Sequence, residues 1–239
     1  MKRKWSMFLM LIFTTVLLSG CLYPEEEMVG ANIPYEDQLA DVQSAVEKFQ
    51  ADTGVLPIQN RDMDTDQYIK YPIDFSKLVP KYMEKPPSNS YEKGGIFQYV
   101  IWDAENNPTV KLVDLRSAET IRDLNIRFTT TTYPTYKDPL TNNIYTIDFK
   151  KVGYKEDVTV PSPYSNNQLP LIATTEGKIF VDYSMDLNTF IKDNNLTPEP
   201  GEDIRNLLVE AYPVLPAYSL PYTVNENNEP VFMYEPNKK

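Results

Sequence analysis

Hydrophobic positions along the chain change their period several times, and each change marks an element. Residues 5–17 form one apolar run, broken only by Ser6, Thr14 and Thr15. The run is shorter than the roughly 20 residues a membrane-spanning helix needs. Leu39, Val42, Val46 and Phe49 then recur at helical spacing and predict an amphipathic helix over residues 35–51. Glu36 and Asp37 fall in its first turn, where the helix dipole favours acids, and Gly54 and Pro57 are its stop signals. Phe75, Leu78, Val79 and Tyr82 repeat the helical spacing, but Pro80 falls inside the pattern and shortens that helix. Residues 96–102 and 110–115 are β-rich, and Glu105-Asn106-Asn107-Pro108 between them predicts a hairpin. Residues 117–125 read as a short helix. Tyr145, Ile147 and Phe149 alternate with polar neighbours, as in a half-buried strand. The Pro-rich residues 158–170 read as loop plus short strand, and residues 179–183 as a strand. Ile204, Leu207, Leu208 and Ala211 make a helical stripe. Residues 222–224 and 231–234 close the chain as a hairpin around Asn227-Asn228, followed by a frayed end.

The two halves resemble each other in places. Ala51, Thr53, Met63, Asp64, Ile69 and Lys70 match Ala173, Thr175, Met185, Asp186, Ile191 and Lys192 without a gap. Asp74, Phe75, Leu78 and Val79 match Asp203, Ile204, Leu207 and Leu208, and each half carries an Asn-Asn hairpin turn. The expected fold class is α+β: an N-terminal helix plus two duplicated strand–helix–hairpin units with antiparallel sheets. The expected lobes are residues 35–128 and 129–239, with a cleft between them as the natural place for a ligand.

Ahead of the first helix, Lys2, Arg3 and Lys4 precede the apolar run, and Leu18-Ser19-Gly20-Cys21 follows it. This stretch resembles the bacterial lipobox. The resemblance implies a signal peptide over residues 1–20, cleavage before Cys21, and a diacylglyceryl group on its thiol. Residues 21–34, with Pro24, Glu25-Glu26-Glu27 and Pro34, then form a lipidated spacer. The expected location is the extracytoplasmic face of the cell membrane, held by that lipid. The chain has one cysteine, so lipidation removes the only thiol and with it disulfides and thiol catalysis. As a whole the chain is similar to the uncharacterised lipoproteins of Bacillus-type Gram-positive bacteria. Locally, Val46-Glu47-Lys48-Phe49-Gln50-Ala51-Asp52-Thr53-Gly54-Val55-Leu56-Pro57 resembles the head-domain segment of type II secretion pseudopilins. The chain lacks the pilin N-terminus, so this likeness bears on fold and not on assembly.

Charge narrows the partners. Loss of Lys2, Arg3 and Lys4 from the 23 basic side chains leaves 20 against 34 acidic ones, a mature charge of −14. That disfavours nucleic acid, whose binding rests on neutralising phosphates, and disfavours docking of the body on anionic lipid. The chain has no histidine, which excludes Ser-His-Asp and Cys-His catalysis and every His-containing metal site. It also lacks the Gly-rich phosphate-cradling motifs.

Three groups could still carry chemistry. Asp62, Asp64 and Asp66 alternate as in Ca²⁺ loops, but the positions an EF-hand fills with Gly and Glu are Gln67 and Ile73. Helix capping or a solvated turn explains the acids as well. Two carboxylates can hydrolyse a glycosidic bond without histidine, yet no pair stands out among 34 acids. Tyr212, Tyr218, Tyr222 and Tyr234 cluster among prolines near the C-terminus, and Tyr218 and Tyr222 are candidates to stack on a glycan or peptide. No catalytic residue, metal or cofactor is expected beyond the lipid on Cys21. The expected function is a non-enzymatic interaction module presenting an acidic body to an envelope protein. A tethered solute- or glycan-binding protein with its ligand between the lobes is the alternative, and a His-free cell-wall hydrolase a more remote one.

Overall fold

The computed structural model describes residues 35–130 and 135–233. The leader, Cys21, the spacer and Tyr234 lie outside them. The described residues form one compact unit. The architecture is α+β with antiparallel strands throughout.

Helix α1 (Tyr35–Thr53) uses the face the sequence marks: Val42, Ala45 and Val46 are buried, with Leu39 and Phe49 packed alongside. Its Gln43 side chain accepts from Val110 N at 2.7 Å and donates to Pro108 O at 3.1 Å, which ties the helix to a hairpin. That hairpin pairs β1 (Phe97–Trp102) with β2 (Thr109–Asp114), Phe97 opposite Asp114 and Trp102 opposite Thr109. Both of its faces are covered. Phe97, Tyr99 and Ile101 join the α1 core, while Val100 and Val113 point the other way, into a core with Tyr68, Val209, Leu215 and Ala217. A run of alternating large apolar residues such as Phe-Gln-Tyr-Val-Ile-Trp suits a strand packed on two sides. Before the hairpin, Asp74 caps the one-turn helix α2 (Phe75–Leu78), which stops ahead of Pro80 as expected. Gly95 sits where a Cβ would meet the backbone of Asn89, so only glycine lets the chain turn back into β1 there.

Helix α3 (Leu115–Thr130) starts directly at the end of β2 and runs longer than the pattern predicts. The sequence places it in the first lobe, yet its Ile121 and Leu124 pack into a second core with the following sheet. That sheet contains β3 (Tyr136–Thr141), β4 (Ile144–Ile147), β5 (Thr159–Pro161), β6 (Gln168–Thr174) and β7 (Ile179–Val181). β6 is its centre, pairing with β4, β5 and β7. Helices α4 (Ser184–Asp193) and α5 (Arg205–Ala211) and the hairpin β8 (Tyr222–Val224) and β9 (Pro230–Phe232) complete the chain.

The expected duplication of whole units is not observed. Met63–Lys70 is a turn and a 3-10 segment, whereas its counterpart Met185–Lys192 lies within α4. The reason is local. Tyr71 and Pro72 leave the turn to bond the edge of β1, Tyr71 O accepting from Ile101 N at 2.9 Å, so no helix can continue there. The five-stranded sheet has no counterpart in the first half among the described residues. What does recur is smaller: an Asp beside a helix start that accepts from the backbone N–H two residues on, at Asp74 and at Asp203, and a hairpin after each.

Candidate functional site

A cleft of about 510 Å³ lies where the first half meets the second. Trp102, at the end of β1, lies half-buried in its wall. Its ring stacks on buried Tyr68, centroids 5.3 Å apart and planes 26° apart. Beyond Trp102 the hairpin turn carries Asp103, Glu105 and Asn106. Asp103 adopts φ +48°, an uncommon conformation for a residue other than glycine. It is held there by its own contacts. Its carbonyl accepts from Asn107 N at 3.0 Å and its carboxylate from Asn106 Nδ2 at 2.8 Å.

The opposite wall is α5, which contributes Asn206, Val209 and Glu210. This helix is pinned at both ends. At its start, Arg205 donates through Nε and Nη2 to Asp203, at 3.0 and 2.6 Å to Oδ2, and through Nη1 to Ser219 O at 3.0 Å. Burial opposes the charge on Arg205, but the Asp203 bonds together with the fields of Tyr68, Asp203 and Asp66 hold the guanidinium above its ordinary pKa. Its cationic plane lies 5.0 Å from the Tyr68 ring centroid. At the far end, Lys111 from β2 donates to Val209 O at 2.8 Å and Tyr212 O at 2.9 Å, satisfying carbonyls the helix leaves open. Partial burial depresses the pKa of Lys111. A third segment brings Gln67 and Lys70, the Lys70 amine lying 5.6 Å from the Tyr71 ring.

The residues singled out from the sequence are distributed differently. Asp66 is an N-cap, accepting from Tyr68 N at 2.9 Å, while Asp62 closes a turn through its carbonyl to Thr65 N. Asp62 and Asp64 are exposed, and among the described residues no group of three acidic, Cys or His side chains converges to hold a metal. Tyr222 is corrected outright. Its side chain is fully buried and its hydroxyl donates to Asp182 at 2.8 Å while accepting from Tyr183 N at 3.0 Å. It packs the core and offers no face to a ligand. Tyr218 is half-buried with φ +59° and lines a smaller depression of about 270 Å³ with Arg61, Tyr91 and Arg122. The two do not form one surface. Buried Asp186 accepts from Ser162 and Ser165 hydroxyls at 2.7 and 2.8 Å and fastens their loop to α4.

Fold and cleft together define an α+β body with a polar cleft that has one tryptophan in its wall. Residues 35–114, which supply β1, β2 and two of the three cleft segments, match the model of the YphF family N-terminal domain. No curated protein and no solved structure matches the chain.

Proposed function

We propose that the chain is a lipid-anchored, non-enzymatic binding module on the extracytoplasmic face of the cell membrane, and that it takes its ligand or envelope partner in the Trp102 cleft. The anchoring rests on Leu18-Ser19-Gly20-Cys21 behind a basic and then apolar leader. The binding reading rests on one observation. The cleft is built from three separate segments whose walls are fixed in advance, Trp102 by its stack on Tyr68 and α5 by Arg205 and Lys111. Walls held by their own contacts lose little freedom on binding.

Each half has its own test. Mass spectrometry of the native protein is expected to find the leader removed and a diacylglyceryl group on Cys21, and Cys21→Ala to send the protein from the detergent phase to the medium. A bare thiol or an intact leader ends the anchoring half. For the cleft, a thermal screen against sugars, amino acids and peptides is expected to yield a ligand that raises the midpoint, as any ligand selective for the native state does. Doubling the change with Asn206→Ala and Glu210→Ala should remove that rise; a rise that survives both places the site elsewhere.

A further inference from the structure

We infer that the Trp102 cleft recognises a neutral oligosaccharide. The inference rests on the reading of the cleft as the binding site and names what it binds. The first argument is the aromatic wall. An indole presents a flat apolar surface of the kind on which the C–H face of a sugar ring stacks. The Tyr68 stack fixes the plane of that indole before any ligand arrives.

The second argument is the rim. Gln67, Asn106 and Asn206 carry carboxamides, and Asp103, Glu105 and Glu210 carry carboxylates. Planar groups with paired donors or acceptors match the vicinal hydroxyls of a sugar, which donate and accept at once. The third argument is charge. One basic side chain, Lys70, lines the cleft together with those three acids. The excess of acid rejects phosphates, nucleotides and carboxylate ligands. The Lys70 amine, in turn, lies against Tyr71, where a cationic ligand would otherwise seek an aromatic face. A neutral polyhydroxyl ligand meets no penalty from either sign. The fourth argument is shape. The cleft lies within the range of roughly 300–1,000 Å³ usual for ligand sites, at about 510 Å³, and it is open rather than enclosed. An open trough suits a chain passing through it better than a single sugar swallowed whole.

The test uses the full-length protein in detergent, titrated by calorimetry with chitotetraose, cellotetraose, maltotetraose and mannotetraose, with each monosaccharide, and with a basic hexapeptide. At least one tetrasaccharide is expected to bind, about tenfold more tightly than its monosaccharide, and Trp102→Ala to weaken it by about tenfold or more. Because Trp102 also packs on Tyr68, the exposed positions Asn206→Ala and Glu210→Ala serve as variants that keep the fold, read by an unchanged melting midpoint. Each is expected to weaken the same sugar. Sedimentation with the insoluble polymer of that sugar separates a wall polysaccharide, which would carry the protein down, from a free oligosaccharide, which would not. If the peptide binds through Asn206 and Glu210 and no tetrasaccharide does, the saccharide inference fails while the cleft remains a site. If neither binds, both readings fail. Tetrasaccharide binding indifferent to Trp102, Asn206 and Glu210 overturns the cleft assignment.

Discussion

Asp114 with Arg116 and Asp203 with Arg205 build the same two-residue clamp in the two halves of the molecule, with burial inverted. In both, the carboxylate sits beside a helix start and accepts from the backbone N–H two residues on, at 2.9 Å in the first and 3.1 Å in the second. In both, the arginine returns through Nε and Nη2 in a fork, the geometry that suits guanidinium to carboxylate. In the first clamp the carboxylate is buried, 6% exposed, and the arginine is 37% exposed. In the second the arginine is buried, 7% exposed, and the carboxylate is 25% exposed. The motif is the same; its energetic weight lies on opposite members. A buried charge depends on its partner, whereas an exposed one can turn to water.

That inversion predicts a crossed result. Asp203→Asn leaves the buried Arg205 guanidinium without its counter-charge and is expected to cost about 3 kcal/mol. The same change at Asp114 keeps a capping oxygen, and Arg116 is already 37% exposed, so about 1 kcal/mol is expected. Replacing the arginines reverses the order. Arg116→Met strands a buried carboxylate, while Arg205→Met puts an apolar chain beside Tyr68 and leaves Asp203 near water. Urea unfolding of the four variants reads all of this, and equal losses at Asp114 and Asp203 would break the comparison. The second clamp also matters beyond stability, since Arg205 reaches Ser219 and fixes the wall of the cleft. Asp203→Asn should weaken any cleft ligand, and Asp114→Asn should not.

The two halves differ as much in how far the sequence discloses them. Helix α1 and the β1–β2 hairpin are legible because one face of α1 is buried and a strong turn separates the strands. The central strand β6 is not. Its Leu-Pro-Leu-Ile-Ala-Thr run is buried almost continuously, so it lacks alternation, and Pro170 argues against a strand paired by three others. Strand β3 fails for the opposite reason, since Tyr-Lys-Asp-Pro-Leu-Thr is nearly all exposed and carries no apolar signal. Tyr222 misleads because a tyrosine with a satisfied hydroxyl reads the same in a core as in a binding face. The cleft was hidden because residues 67–71, 102–106 and 206–210 meet only through topology. The one available signal was a lone tryptophan at the end of a predicted strand, followed by Asp, Glu and Asn.

Alkali gives a smaller and separable test of the second clamp. Tyr68, between Trp102 and Arg205, is fully buried, and burial pushes the pKa of its hydroxyl up to about 12. A tyrosine in the unfolded chain titrates near 10. The folded state therefore holds the proton longer than the unfolded one. The stability this links is fully present below about pH 10 and is lost as pH rises through about 12. Half-buried Tyr164 and buried Tyr183 and Tyr222 are pushed up as well and add to the same loss. Phenolate absorbance is expected to appear together with unfolding, and Tyr68→Phe to flatten the alkaline slope while leaving neutral stability equal or higher. Phenolate signal from Tyr68 in a still folded chain would contradict its burial.

The smallest effect belongs to a third ion pair, which shows what burial adds to the other two. Lys81 donates to Asp52 Oδ2 at 2.8 Å and the Tyr82 hydroxyl donates to the same oxygen at 3.0 Å, and those bonds hold the Asp52 carboxyl below its ordinary range. The distances are as short as those of the buried clamps, yet both side chains are more than half exposed. Water can replace either partner at once, so the short contact carries little stability. Lys81→Ala is expected to leave the melting midpoint unchanged at physiological salt. A clear drop would mean that distance alone sets the worth of these pairs, and the crossed result predicted for Asp114 and Asp203 would lose its basis.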